Sequence, residues 1–377
     1  MIQWREARVV AVRARWPGVV ELDVDVVGGV GGGRWPSCRA LAYPALVGEP
    51  RPGELVLLNA TALEVGLGTG GYAFVVAVPH RIPADPGLGP GHLVKARYTA
   101  EQVMVLGVDE QGSPHHDLLR DADDLLGIPV VVADLHSSLP AVVAGVRAER
   151  PEARVAYVMT DGGALPAWFS RTVAGLRSAG WLEACISVGQ SFGGDLEAVT
   201  VHSGLLAARL VVQADVAVVA QGPGNLGTGT RWGFSGVAAG EALNAAGTLG
   251  GRPVAALRVS AADARQRHRG LSHHSRTALG RVALLPADVV VPAQDGPFWA
   301  SVRAQAAELC APAGRHRLVE VDADGLRGAL EASPVPLSTM GRGLEDDEAA
   351  FLAAAAAGRH AGRLLDGRPP LAQLPSG

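Results

Sequence analysis

Lysine is nearly absent from this chain of 377 residues, because Lys95 is the only lysine among 33 basic Lys and Arg residues. Arginine meets every other need for a permanent side-chain cation. Lysine differs from arginine in carrying a compact ammonium group that can lose its proton. The bias therefore predicts that Lys95 sits where such a group is required, and chance survival on a surface strand is the alternative interpretation.

Other absences narrow the class of protein. The net charge is -4 and no run of basic residues occurs, which argues against nucleic acid as a partner. The three cysteines are far apart in the sequence and none belongs to a CxxC pair, so neither a disulfide framework nor a thiolate zinc site is indicated. No apolar stretch reaches membrane-spanning length, and charges at the N-terminus replace the apolar core of a signal peptide. We expect a cytoplasmic protein that does not enter a membrane.

The apolar content of 48% predicts a compact fold, and the length predicts a large domain with a smaller one. Residues 1–90 contain short strand patterns between Gly and Pro, such as Val19–Val26, Glu54–Leu58 and Tyr72–Val78. They predict a small all-β, barrel-like domain with a hairpin tip at residues 28–33. The connector Pro83–Gly91 marks the predicted boundary.

Residues 91–335 alternate apolar strands with helix-length segments, which is typical of a doubly wound, mainly parallel sheet in an α/β, Rossmann-like domain. Residues 336–377 are predicted to form a C-terminal helix over Asp346–Leu365 and a disordered tail. The predicted strands are Gln102–Val108, Pro129–Leu135, Arg154–Thr160, Ala184–Val188, Ala214–Ala220, Pro253–Ser260 and Ala287–Val291, and the predicted helices are Leu139–Glu149, Ala167–Ala179, Leu196–Val212 and Phe234–Ala246.

Polar and titratable residues follow these strands in succession. Ligands of open parallel sheets bind beyond the carboxyl ends of the strands, where such loops meet. Glycine turns and helix caps explain part of this pattern, but not the paired histidines. The predicted site therefore joins the loops 134–137, 161–163, 189–195, 221–230 and 268–274 at one edge of the sheet.

The loop after the predicted strand 214–220 fits the pattern GxGxxG and should open a helix, so it is predicted to bind phosphate or another anion. A dinucleotide site needs an acidic residue for the ribose, and the sequence after the next predicted strand does not provide one, although Arg258 or Arg265 could face a 2′-phosphate. The predicted cofactor-binding residues are Gly222, Gly224, Asn225, Gly227, Thr228, Gly229 and Thr230, with Gly193, Gly194 and Asp195 on the neighbouring loop.

Histidines on three loops are candidates for a general base or for ligands to a divalent metal. His268, His273 and His274 lie on one loop, His115 and His116 on another, and His136 follows Asp134 on a third. Adjacent histidines usually point in different directions, so one of each pair is expected to act. No HExxH motif is present. The metal candidates are His136, Asp134 and His116.

Seven segments spread along the chain form a distinctive set of motifs. They are Leu57–Ala62, Gly66–Gly71, the GHLVKARYT segment Gly91–Thr99, Leu135–Ser137, the DGGALP segment Asp161–Pro166, the GQSFGGD segment Gly189–Asp195 and the GLSHH segment Gly270–His274. Together these motifs are similar to a bacterial family known only as a domain of unknown function. The resemblance covers most of the chain up to about residue 300 and brings no reaction with it.

The leading hypothesis is an enzyme, a hydrolase or a transferase, that acts on a small anionic metabolite. The predicted catalytic residues are His273, His274, Asp161 and Lys95, with Lys95 approaching from the junction between the domains. A phosphate-containing ligand or a divalent metal is the expected cofactor. The alternatives are a non-catalytic sensor and an NADP-dependent oxidoreductase. The apolar segment Gly236–Ala246 also suggests a homodimer.

Overall fold

The computed structural model describes residues 1–28, 36–66, 70–85, 87, 89–311 and 314–366. Residues 29–33 of the predicted hairpin tip and the predicted tail beyond residue 366 lie outside this part of the chain. The chain divides into two compact units. The first comprises Met1–Gly89 with Ala96–Val103, and the second comprises Pro90–Lys95 with the described part of Met104–Gly377.

The first unit is a closed five-stranded barrel, which agrees with the predicted all-β fold. Alternate residues of its first strand, Ala7 and Val9 among them, are buried, because successive side chains of a strand point to opposite faces. The strands are β1 Trp4–Trp16, β2 Val19–Gly28, β3 Ser37–Ala42, β4 Leu55–Asn59 and β5 Tyr72–Ala77, in the order β1-β2-β3-β5-β4, with the short helices α1 Pro44–Val47 and α2 Thr61–Glu64.

The second unit contains an eight-stranded sheet in which every neighbouring pair is parallel. Its central strands are buried along their whole length, as their runs of Val and Ala require. The strands of this unit are β6 Leu93–Lys95, β7 Val103–Val105, β8 Pro129–Val132, β9 Val155–Thr160, β10 Ala184–Ser187, β11 Leu196–Glu197, β12 Val216–Gln221, β13 Arg252–Ala256, β14 Val259–Ser260, β15 Gly270–Leu271, β16 Asp288–Ala293 and β17 Arg317–Asp322.

Helices cover the sheet, and the predicted α/β architecture is thereby confirmed. The order across the sheet is β11-β10-β9-β12-β8-β13-β16-β17, while β6-β7 and β14-β15 form two separate small sheets. The helices are α3 His116–Leu119, α4 Leu139–Glu149, α5 Arg171–Ser178, α6 Val201–Leu206, α7 Ala238–Thr248, α8 His273–Thr277, α9 Pro297–Cys310, α10 Leu326–Glu331 and α11 Glu348–Arg363.

Some predicted elements needed correction. The predicted strand 102–108 shortens to β7 and lies outside the large sheet. The predicted helix 196–212 begins instead as a strand, because β11 pairs with β10, and Thr200 then caps α6 through Ser203. The predicted helix 167–179 is interrupted because the side chain of Ser170 caps α5.

Close packing of two helices holds one side of the sheet. Helix α4 lies against α11, which in turn contacts β8, β13 and β16. A Cβ added to Gly145 of α4 would lie 1.9 Å from the carbonyl oxygen of Ala355, and one added to Gly358 of α11 would lie 1.9 Å from that of Val142. Only glycine permits this distance between the two backbones. No helix of the described residues is long and apolar enough to cross a membrane.

We predict that Gly145→Ala lowers the free energy of unfolding by about 1–3 kcal/mol, because the new methyl group forces the backbones of α4 and α11 apart. Urea denaturation followed by circular dichroism measures this change. Gly328→Ala in α10 is the matched control, since its added Cβ meets nothing within 4 Å, and helix propensity should make it neutral or slightly stabilising. Equal stability of the two variants would contradict the packing described here.

Candidate functional site

The strand order puts a topological switch point at the carboxyl ends of β8 and β13, where a ligand crevice is expected. After β8 the chain continues to β9 on one side of the sheet, whereas after β13 it continues to β16 on the other. Connections that leave neighbouring strands in opposite directions separate their loops, and ligands of open α/β sheets bind in such crevices. Asp134 lies just beyond β8, and Arg258 lies just beyond β13.

Asp134 is the buried charge of this crevice, with 6% of its surface exposed. Its Oδ2 lies 3.1 Å from Nδ1 of His274 and 3.6 Å from a guanidinium nitrogen of Arg258. Burial tends to raise the pKa of the carboxyl group, but the hydrogen bond with His274 and the charge of Arg258 outweigh it, so the pKa is lowered. Asp134 is therefore ionised at neutral pH.

Nδ1 of His274 has two neighbours that compete for it. Arg258 approaches at 2.8 Å and can only donate, whereas the ionised Asp134 can only accept. One ring nitrogen satisfies one of them at a time. We assign the Nδ1 proton to the Asp134 carboxylate, because a buried anion without a donor carries the larger desolvation cost. This tautomer leaves the lone pair of His274 on Nε2.

Two further histidines complete what we call the histidine cluster, His268, His273 and His274. One ligand atom from each ring can be chosen so that the three lie within 4.8 Å of one another. Burial, with the charges of Arg258 and Arg265, lowers the pKa of His268 to about 3. Burial and the neighbouring His274 lower that of His273 to about 4. Both rings are neutral at physiological pH.

Local structure explains why the histidines converge. The side chain of Ser272 caps α8 by accepting from the backbone N–H of His274, and its Oγ lies 2.8 Å from Nδ1 of His268. The expectation that adjacent histidines diverge is wrong here, since the ring centroids of His273 and His274 are 4.5 Å apart. The ring of Phe234 stacks on His274 at 3.7 Å and covers this side of the histidine cluster.

The glycine loop after β12 reaches the same place but does not open a helix as predicted. Thr228 N–H donates to Gly233 O at 2.7 Å, and Leu226 N–H donates to Ser235 Oγ at 3.1 Å. The loop therefore folds back on itself, and helix α7 begins only at Ala238. The closed loop places Phe234 against the ring of His274. It contains the predicted anion-binding residues Gly222, Gly224, Asn225, Gly227, Thr228, Gly229 and Thr230.

Asp161 lies in the loop after β9, which contacts the glycine loop. Ala164 N–H donates to Pro223 O at 2.7 Å, and a Cβ on Gly163 would lie 2.1 Å from Gly222 O. Asp161 itself is exposed and accepts a hydrogen bond from the backbone N–H of Gln190 at 2.9 Å. The loops after β8, β9, β12 and β13 thus meet at one edge of the sheet.

Gln221 was not singled out from the sequence, yet it connects these loops. Its Nε2 donates to the carbonyl of Asp134 at 2.9 Å and to Oδ1 of Asn225 at 3.0 Å. Its Oε1 is buried without a hydrogen-bond partner among the described residues. A polar residue that ends an otherwise apolar strand was the available signal.

Lys95 belongs to a different polar group. It is 2% exposed, and its Nζ lies 2.7–3.0 Å from the carbonyl oxygens of Ser187, Ser191 and Ala198 and from Oε2 of Glu197. These residues belong to β10, β11 and the segments next to them, and in the sheet β10 lies four strands and β11 five strands away from β13. The convergence of four oxygens on one compact ammonium explains why lysine persists here. Its catalytic role stays a prediction.

The GQSFGGD loop, Gly189–Asp195, contacts the polar group around Lys95 and Glu197. Gly193 N–H donates to Oε1 of Glu197 at 2.6 Å, and Gly194 N–H donates to Oγ of Ser187 at 3.1 Å. Asp195 accepts from the backbone of Cys185 at 2.7 Å and pairs with Arg177 at 2.9 Å. These contacts stabilise the loop and commit Gly193, Gly194 and Asp195 to internal hydrogen bonds.

Two of the predicted metal candidates also have other partners. Both ring nitrogens of His136 are engaged, Nδ1 with the Tyr157 hydroxyl at 3.1 Å and Nε2 with the Ser170 hydroxyl at 2.8 Å. His116 Nδ1 lies 2.8 Å from the carbonyl of Asp109. Asp134 alone of the three candidates lies beside the histidine cluster.

Removing the ammonium of Lys95 should be costly, because Glu197 would be left as an unpaired buried charge. We predict that Lys95→Met lowers the free energy of unfolding by about 3–5 kcal/mol. Adding Glu197→Gln to that variant should recover part of the loss, and Lys95→Arg should not substitute, since a planar guanidinium cannot meet the same four oxygens. A loss below about 0.5 kcal/mol for Lys95→Met, measured by urea denaturation, would contradict this account.

Comparison with known proteins identifies a family for this chain but no reaction. A family model described as Protein of unknown function (DUF3866) matches residues 39–358. Neither the curated proteins nor the solved structures contain a significant match to this chain. The matched range includes the barrel from β3 onward, the parallel sheet and the histidine cluster. The chain therefore belongs to the protein family DUF3866.

Proposed function

We propose that this protein is an enzyme, a hydrolase or a transferase, that acts on a small anionic metabolite in the crevice between β8 and β13. The observation that carries the proposal is the pairing of the buried Asp134 with His274 inside a group of neutral imidazoles. An acidic residue that orients a histidine and fixes its tautomer is a recurrent arrangement in catalytic sites. The loops of four parallel strands supply the walls of this crevice.

His274 is the proposed reacting residue, because Asp134 fixes its Nδ1 proton and leaves Nε2 as the acceptor. His268 and His273 are weak bases, since burial keeps the pKa of each near 3 or 4. A general base works best when its pKa lies near the working pH. The role of these two rings is therefore to present lone pairs to the crevice rather than to abstract a proton.

Arg267 is the proposed anchor for the anionic group of the substrate. It is exposed and pairs with no other described residue, and a Cβ on Gly229 would lie 3.6 Å from its guanidinium. Its charge also helps to lower the pKa of His273, after burial and His274. Arg267 thus lies between the glycine loop and the histidine cluster, where a guanidinium can bind a phosphate or carboxylate through two hydrogen bonds.

The two alternatives differ in what supports them. A sensor would use the same crevice without turnover, so the experiment below separates it from an enzyme. An NADP-dependent oxidoreductase needs a glycine turn whose free N–H groups begin a helix. The closed glycine loop gives that alternative no support.

Cellular location and assembly remain parts of the proposal. The three cysteines are free thiols, two of them buried, which supports a reducing compartment such as the cytoplasm. The homodimer predicted from the apolar segment 236–246 stays a prediction. Within the chain, α7 already packs closely, because a Cβ on Gly240 would lie 2.4 Å from the carbonyl oxygen of Ala278.

A thermal-shift screen tests substrate binding. We expect phosphorylated sugars, nucleotides or dicarboxylates to raise the melting temperature, because a ligand that binds only the folded state stabilises it. Arg267→Gln should weaken the best ligand by about 10- to 100-fold, the value of one charged hydrogen-bonded contact. Arg281→Gln removes another exposed arginine and is the matched control. Equal affinity of the Arg267→Gln variant and the wild type would contradict the assigned anchor.

The same ligand then decides between enzyme and sensor. Incubation with wild-type protein, followed by mass spectrometry of the ligand, should show conversion. His274→Gln should lose that conversion and retain binding. A ligand that binds tightly and is never converted by the wild type would replace the enzyme proposal with the sensor.

A further inference from the structure

The histidine cluster has a feature that a single general base at His274 does not explain, namely three imidazole nitrogens without hydrogen-bond partners among the described residues. Nε2 of His273 is shielded from solvent and has no partner among the described residues. The hydrogen bonds of His268 and His274 within the described part of the chain engage Nδ1, which leaves Nε2 of both rings. Buried polar atoms without partners are rare and call for an explanation.

The three rings are close enough to share one ligand. Their ring centroids are separated by 5.0 Å for His268 and His273, 5.0 Å for His268 and His274, and 4.5 Å for His273 and His274. The chosen nitrogen atoms lie within 4.8 Å of one another. A tetrahedral zinc ion at Zn–N distances of about 2.0–2.1 Å holds its ligand nitrogens roughly 3.3 Å apart. Binding of one ion therefore requires side-chain rotations that bring the three nitrogens closer together.

The neighbours of the rings are those that metal-binding histidines use. A histidine that binds a metal through one nitrogen usually donates its other N–H to a carboxylate, carbonyl or other oxygen, which fixes the tautomer. Asp134 stands in that position for His274, and the Ser272 hydroxyl stands there for His268. The ionised Asp134 also offsets the nearby positive charge of Arg258.

We infer that His268, His273 and His274 together bind one divalent transition-metal ion of the zinc type through their Nε2 atoms. Neutral imidazoles are the form that binds a metal, and the fold brings one nitrogen from each of the three rings together. Three protein ligands leave a fourth position open, which is the pattern of catalytic rather than structural zinc. The reaction of this ion with an anionic substrate rests on the function proposed above, whereas metal binding itself does not.

When bound, such an ion supplies a water molecule whose pKa is strongly lowered, or it polarises an oxygen of the substrate. Asp134 would then orient His274 as a ligand instead of preparing it as a base. Arg267 keeps its assigned role toward the anionic group. The inference thus names a cofactor class for the same crevice.

Equilibrium metal binding by the full chain tests the inference directly. The protein is stripped with a chelator, dialysed and titrated with Zn²⁺ by calorimetry, and with Co²⁺ by visible absorption, which reports tetrahedral nitrogen coordination. We expect one equivalent of metal per chain. Asp134→Asn should weaken binding by about 10- to 100-fold, as loss of a partner behind a ligand does, and His273→Ala should weaken it further.

His202→Ala, in the exposed part of α6, is the matched control and should bind as the wild type does. His273→Asn is the second variant, and circular dichroism confirms that each variant is folded. A wild type that binds no metal, or a folded His273→Ala variant that binds it as tightly as the wild type, would overturn the inference. No substrate is present in the titration, so a failure to bind metal would count against the metal site and not against the proposed function. A chain that binds metal but binds no anion in the thermal-shift screen would instead overturn the proposed function.

Discussion

The buried carboxylate of Asp134 is the constraint on which the organisation of this site depends. A charge this far from water costs several kcal/mol unless neighbouring groups compensate for it. His274 and Arg258 provide that compensation from the segments after β13, and Gln221 binds the backbone of Asp134 from the end of β12. The carboxylate of Asp134 therefore fixes the loop after β8 against the segments after β13, and the backbone contact of Gln221 adds the end of β12.

The parallel sheet makes this arrangement possible. All eight strands have their carboxyl ends at one edge, and β8 and β13 lie side by side at the point where the connections change direction. The histidine cluster is also shielded from water, because Phe234 stacks on His274 and burial lowers the pKa of His268 and His273. Neutral, partly shielded imidazoles beside an ionised carboxylate suit the binding of a cation better than they suit three independent bases.

Much of the fold could be predicted from local patterns. The barrel strands and the buried Val and Ala runs of the sheet follow from side-chain periodicity, and the helix predicted over Leu139–Glu149 has these bounds in the structure. The edge at which the loops meet could also be predicted, because the carboxyl ends of parallel strands all lie at the same edge of a sheet. Such features depend on neighbours in the sequence or on a general rule of topology.

The pairings inside the site could not be predicted in the same way. Asp134 and His274 are 140 positions apart, and no local pattern joins them. The glycine loop fits a helix-opening motif, but it folds back on itself because the backbone N–H of Thr228 donates a hydrogen bond to the carbonyl oxygen of Gly233. Lys95 was singled out by its rarity alone, and its four oxygen partners come from strands β10 and β11 and from loops that only the folded chain brings together.

The coupling between Asp134 and His274 tests the central claim most directly. The free energies of unfolding of Asp134→Asn, His274→Gln and the double variant, measured by urea denaturation, give that coupling from a double-mutant cycle. The account predicts a coupling energy of at least about 1 kcal/mol, as expected for a buried pair in direct contact. Effects that add to within about 0.5 kcal/mol would contradict it, since the two side chains would then be independent.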